Sequence, residues 1–185
     1  MSLSTTTRAL HDLGLSGWFG GTLANAVALN PAAAQAGDDR ATGRVVNAGW
    51  DSWTPVNAAA IGAHLIGSVG QLVENRGRVR GQQGVATMAV VKTALTAAAL
   101  GATAYSRVLG RTVSEQHDVP TSSGTNPSFQ TPPKVASAQQ RLKVLQWVIP
   151  ALTGAIVVVS AYAGEQQRPS AVAAGAVRRL ARRVH

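Results

Sequence analysis

Residues 142–164 form an apolar run with Val157, Val158 and Val159 at its heart and no charge beyond Lys143 at its start. A helix of about 23 residues is long enough to cross the hydrocarbon of a bilayer. In water such a helix needs a polar face, and this one offers only Gln146, Thr153 and Ser160. Hydrocarbon is therefore the expected solvent for this part of the chain, and a soluble alanine-rich bundle is disfavoured.

The rest of the composition agrees. Of 185 residues, 45% are hydrophobic and only 14% charged, which is greasier than a soluble domain of this size. Aromatics are 4%, so most of the apolar surface is Ala, Val and Leu, and helices built from these pack closely through small side chains. The chain has no cysteine, which excludes disulfides, thiolate catalysis, iron–sulfur clusters and covalent haem attachment.

Three weaker segments precede the apolar run, which predicts an all-α, four-helix transmembrane bundle over residues 1–168. The first segment covers about residues 9–29 and is expected to stop at Asn30-Pro31, because proline disfavours helix at the residue before it. The second covers about 55–74, with Thr54 as N-cap and Pro55 at the first helical position. The third covers about 84–109. Residues 111–140 include PTSSGTNPSFQTPP and read as an extended, mobile outer loop. Pro150 is expected to bend the fourth segment.

Net charge is +9. The basic residues gather at the ends of apolar segments, which makes anionic lipid the simpler partner and gives no support to nucleic acid. With the N- and C-termini in the cytoplasm, Arg76, Arg78 and Arg80 form an inner basic turn, and Trp50, Trp53 and Trp147 fall at the outer interface, where indole rings prefer to sit. The arginine, alanine and glycine bias points to a high-GC bacterium, hence a bacterial plasma membrane. A rival reading treats Arg8, the apolar run and AAAQA as a cleaved secretory signal; Asp12 and Asn25 fit it badly. Residues 169–185 pattern as a basic amphipathic tail, with Arg178, Arg179, Arg182 and Arg183 opposite Val172, Val177 and Leu180, suited to the inner leaflet surface.

Small residues at four-residue spacing mark helix-packing faces: Gly17 and Gly21, then Ala59, Ala63 and Gly67, then Ala97 and Gly101. They serve packing within the chain, or contacts with a second copy or other membrane subunits. His11, Asp12, His64 and Lys92 are ionisable groups inside the expected bilayer, where such groups are costly and invite a functional reading. His64 lies about 15 Å and Lys92 about 12 Å from the inner ends of their helices, so the four are expected to form a polar cluster in the inner half of the bundle. The alternative is structural: His64 as interhelical glue, Lys92 extending its stem to the interface, Asp12 paired with Arg8. A bis-histidine haem through His11 and His64 is disfavoured because the two are expected at different depths, and His117-Asp118 alone make no metal site. No cofactor and no metal are expected. With no phosphate loop, HExxH or GxSxG present, the chain reads as a non-enzyme.

The opening LHDLGLSGWFGG, followed by LANAVALNPAA, resembles the first helix of small actinobacterial four-helix integral membrane proteins. The resemblance implies the same architecture and membrane, and carries no functional residues. The function expected is that of a small structural or accessory subunit of a larger membrane complex. The competing expectation is a small transporter or proton-linked carrier using the His/Lys/Asp cluster.

Overall fold

The computed structural model describes residues 3–77, 83–115 and 118–165. Among them there is no strand. Helix α1 covers Leu3–Ala24, widens into a π-turn over Asn25–Leu29 and continues as the short α2, Asn30–Ala33; α3 covers Asp39–Glu74, α4 Gln83–Ser114 and α5 Pro133–Glu165. Three of these, α3, α4 and α5, are long and apolar enough to cross a membrane. Helix α1 is not among them, since its threonines, His11, Asp12 and its glycines dilute its apolar content.

Two helix boundaries differ from expectation, each for a local reason. The chain does not leave the helix at Asn30-Pro31. The π-turn carries it through, with the Asn30 N–H reaching back to the Asn25 carbonyl, and Pro31 stands near the start of α2 where a missing N–H costs little. Helix α3 begins at Asp39, well before Pro55. Its N-cap is Asp38, whose Oδ1 accepts from the N–H groups of Arg40 and Ala41 at 2.9 and 2.8 Å, and Gly37 turns the chain into it with a φ of +100°. Thr54 is therefore an interior residue, its Oγ1 donating to the Trp50 carbonyl, and Pro55 lies inside the helix. Pro150 is likewise held within α5.

The 111–140 stretch is also not the loop expected. Its first residues extend α4 to Ser114, and Pro133 opens α5. The polar remainder folds over the helix ends as a cap, with Val119, Thr121, Thr125 and Thr131 buried. Thr121 pairs with Pro127 in an isolated antiparallel bridge, its N–H donates to Asp39 O at 3.0 Å, and its Oγ1 accepts from Gln139 Nε2 at 2.7 Å. Composition alone hid this because the cap is held by backbone and hydroxyl bonds and not by apolar pattern. At 36 residues, α3 is about 54 Å long against a hydrocarbon thickness of about 30 Å, so its N-terminal turns rise into this cap.

The helices form two close pairs, α1 with α3 and α4 with α5. The pairs are joined mainly by α1 against α5, while α3 and α4 touch little. One apolar cluster, Leu15, Trp18, Ala99, Ile149 and Ile156, ties the middle together; a second, around Leu109, Val113, Val119 and Val135, seats the cap. The α1–α3 contact follows a four-three spacing: Thr7, His11, Gly14, Trp18 and Gly21 on α1 meet Trp53, Ala60, His64 and Gly67 on α3. This is the register of left-handed helix pairs. Gly67 lies against the backbone of Thr7 and His11, Gly14 against that of Ala60 and His64, Gly17 against the Ala60 methyl, and Gly21 under the Trp53 ring.

The ladder Ala59, Ala63, Gly67 is thereby corrected. A strict four-residue step drifts off a contact face, and Ala59 is exposed while Ala60 makes the contact. On α4, Ala97 and Gly101 are exposed, and a Cβ at Gly101 would meet nothing within 4 Å. Arg76 is exposed beyond α3. Arg78, Arg80 and the expected basic tail with Arg178, Arg179, Arg182 and Arg183 lie outside the described residues, as does His117.

Candidate functional site

The close α1–α3 contact brings His11, Asp12 and His64 together, and Lys92 joins them from α4. His11 and His64 are 1% and 0% exposed, an arrangement that needs internal partners for every polar atom. His11 Nδ1 lies 2.7 Å from Asp12 Oδ1, and its Nε2 lies 3.1 Å from Lys92 Nζ. A carboxylate only accepts and an ammonium only donates. His11 therefore carries its proton on Nδ1 and accepts from Lys92 at Nε2. The result is a continuous chain from Asp12, whose side chain is 61% exposed on the helix surface, through a buried imidazole, to Lys92.

His64 stacks beside this chain with its ring centroid 4.6 Å from that of His11, tilted by 48°. Its Nδ1 faces the His11 carbonyl at 3.4 Å and its Nε2 faces Ser68 Oγ at 3.5 Å. Trp18 closes the side toward the cap, 6.1 Å from the His64 ring and donating to Thr103 Oγ1 at 3.3 Å. One turn further toward the α1 start, Thr7 Oγ1 donates to the Glu74 carboxylate at 3.3 Å.

The two imidazoles are at the same level, so the expected difference in depth is corrected. The haem reading fails for another reason: rings with centroids 4.6 Å apart leave no room for a macrocycle between them. Among the described residues no group of three or more His, Cys, Asp or Glu could hold a metal.

Because α3 and α4 barely meet, two cavities lie along their seam. The cap-side cavity, about 210 Å³, is walled by Trp50, Trp53, Asn57, Thr103 and Arg107. The other, about 390 Å³, is walled by Leu65, Gln71, Leu72, Met88, Lys92 and Leu100. Lys92 thus belongs both to the buried chain and to a cavity wall. Trp53 Nε1, Asn57 Oδ1 and Gln71 Nε2 are buried without a hydrogen-bond partner, and each belongs to a residue lining one of these cavities.

At the cap end, Asn30 is a hub that the sequence reading did not single out. Its Nδ2 donates to Gln146 Oε1 at 2.9 Å, its Oδ1 accepts from Trp50 Nε1 at 3.2 Å, and its carbonyl faces the Gly124 N–H. Asp118, at a φ of 75°, accepts from Arg44 NH1 at 2.5 Å and Arg40 NH1 at 3.2 Å. These guanidiniums hold its carboxyl below the usual carboxylate range. Asn30 was hidden by the adjacent proline; Ser68 and Gly14 were legible in principle from the four-three spacing around His64.

The helices and their apolar faces give the chain the build of a helical membrane protein. No protein-family model matches it, and comparison with curated proteins and with solved structures returned no significant match.

Proposed function

We propose that this is a small multi-pass protein of a bacterial plasma membrane, with its termini on the cytoplasmic side, that works as a proton-linked carrier. The observation supporting this is the chain Asp12, His11, Lys92, with contacts of 2.7 and 3.1 Å, running from the helix surface to a cavity wall. Ionisable groups so placed are costly in a membrane and are retained where protons or solutes move. A proton on Lys92 Nζ passes to His11 Nε2 as the Nδ1 proton leaves for Asp12, which restores a neutral imidazole and leaves Lys92 as a neutral amine. His64 supports the His11 ring from the side, and Ser68 holds His64.

The test is reconstitution in vesicles carrying an internal pH dye. The wild-type protein should pass protons under an imposed gradient, whereas Lys92→Leu and His64→Leu should fold normally and not do so. Proton entry no faster than in empty vesicles would overturn the reading.

A second reading, the accessory subunit, is favoured by one observation: Ala97 and Gly101 present a small-residue face on α4 that none of the described residues covers. It is the kind of face against which another membrane helix, or a second copy, packs closely, and anionic lipids would engage the basic edges. In that case Gly101→Leu should disperse an assembly on native gels while leaving proton entry at the empty-vesicle level.

A further inference from the structure

The geometry points to the 390 Å³ cavity as a binding site for a single-chain amphiphilic carboxylate, with its head on Lys92 and its hydrocarbon chain along the α3–α4 seam. This rests on the carrier reading only for its purpose, since it names the solute; as a binding site it stands on the cavity alone.

Three features of the walls select this ligand. First, the only charge among the described lining residues is positive. Lys92 carries an ammonium that enters no ion pair among the described residues, and the other polar lining groups, on Ser68, Gln71, Asn75, Thr93 and Thr96, are neutral. Among the described lining residues there is no carboxylate. One positive charge complements one negative charge, and such charge-assisted bonds are the strong ones. Second, the remaining wall is apolar, with Leu65, Leu72, Val85, Met88 and Leu100 extending away from Lys92 along both helices. Third, the volume is near the lower end of the roughly 300–1,000 Å³ typical of ligand sites, which suits one chain and not the two of a phospholipid. The slight contact between α3 and α4 leaves the side of the cavity facing the bilayer, the phase in which such molecules dissolve.

The test is photolabelling of the full protein in phosphatidylcholine nanodiscs with a diazirine analogue of hexadecanoate, followed by peptide mapping. Labels are expected on 69–72 of α3 and 85–88 of α4, competed by unlabelled hexadecanoate and much less by hexadecanol. Lys92→Met should weaken labelling by about ten- to hundred-fold, the loss of a hydrogen-bonded charge. Gln71→Glu, which places a like charge on the same wall without touching the His11 contact, should do the same if the Lys92 variant fails to fold. Equal competition by hexadecanol, competition by phosphatidylglycerol alone, or labelling indifferent to both variants would overturn the assignment. Labelling that behaves as expected without proton movement would keep this site and remove the carrier reading; proton movement without labelling would do the reverse.

Discussion

Gly67→Ala should destabilise the fold, although alanine is the better helix former. A Cβ at Gly67 would fall on the Thr7 carbonyl oxygen and the His11 backbone N, and 2.7 Å from His11 Cα. These are backbone atoms, which cannot swing aside. Carbon atoms rest about 3.5–4.0 Å apart, so α1 and α3 must separate by about 1 Å, and a gap of that size forfeits a quarter to a half of each contact. Overpacking of this kind costs about 3 kcal/mol at the upper end of its usual range. The helix recovers about 1 kcal/mol from losing a glycine, which leaves a net loss of roughly 2 kcal/mol, or about thirty-fold in the folding equilibrium. For a chain of this size that is a fall of roughly 4–8 °C in Tm. The assay is thermal unfolding in a mild detergent, with Gly101→Ala beside it. Gly101 has open space where the methyl would go, so that variant should gain about 0.5–1 kcal/mol. Two alanine variants of equal, raised Tm would refute the close α1–α3 contact.

Other outcomes follow from the polar groups. Asn30→Ala removes two side-chain bonds at a buried position, to Gln146, which in turn holds Thr125 of the cap, and from Trp50, and should cost about 2–3 kcal/mol, read as faster hydrogen exchange across 121–131. Trp53→Phe and Trp18→Phe both lose buried ring volume, but only Trp18→Phe also breaks a bond, to Thr103, so it should cost about 1 kcal/mol more than Trp53→Phe, whose indole N–H has no partner; chemical unfolding of both variants checks the contrast. Asp118 has its folded pKa depressed by Arg44 and Arg40. Its contribution to cap docking is therefore complete above the ordinary aspartate pKa of about 3.9 and lost as pH falls through the lower folded value. Asp118→Asn should raise exchange in the cap at neutral pH and abolish this acid dependence.

Much of the architecture was legible because hydrocarbon imposes simple rules: long apolar runs became α3, α4 and α5. That His64 and Lys92 share a level was legible from depth along the helices, whereas His11 was expected nearer the end of α1 and is found beside both. What sequence could not show was phase. A four-residue ladder looks continuous on paper, yet the antiparallel pair follows a four-three step, so on α3 Ala60 and His64 carry the contacts assigned to Ala59 and Ala63, and on α1 Gly14 faces them. The cap escaped for a different reason. Its order comes from hydroxyl and carbonyl pairing at Thr121, Thr131 and Asn30, which leaves no mark in hydropathy. The π-turn at Asn25–Leu29 converted an apparent stop at Pro31 into a continuation.

The contact of α1 with α5 is the spine of a book whose covers are the two helix pairs. At this spine Phe19 rests against Gly154, where an added Cβ would sit 3.1 Å from its ring. Any widening between the covers must pivot about this line, so both hollows along the fore-edge enlarge or shrink in one stroke, and a bulkier residue at position 154 would prise them apart from behind.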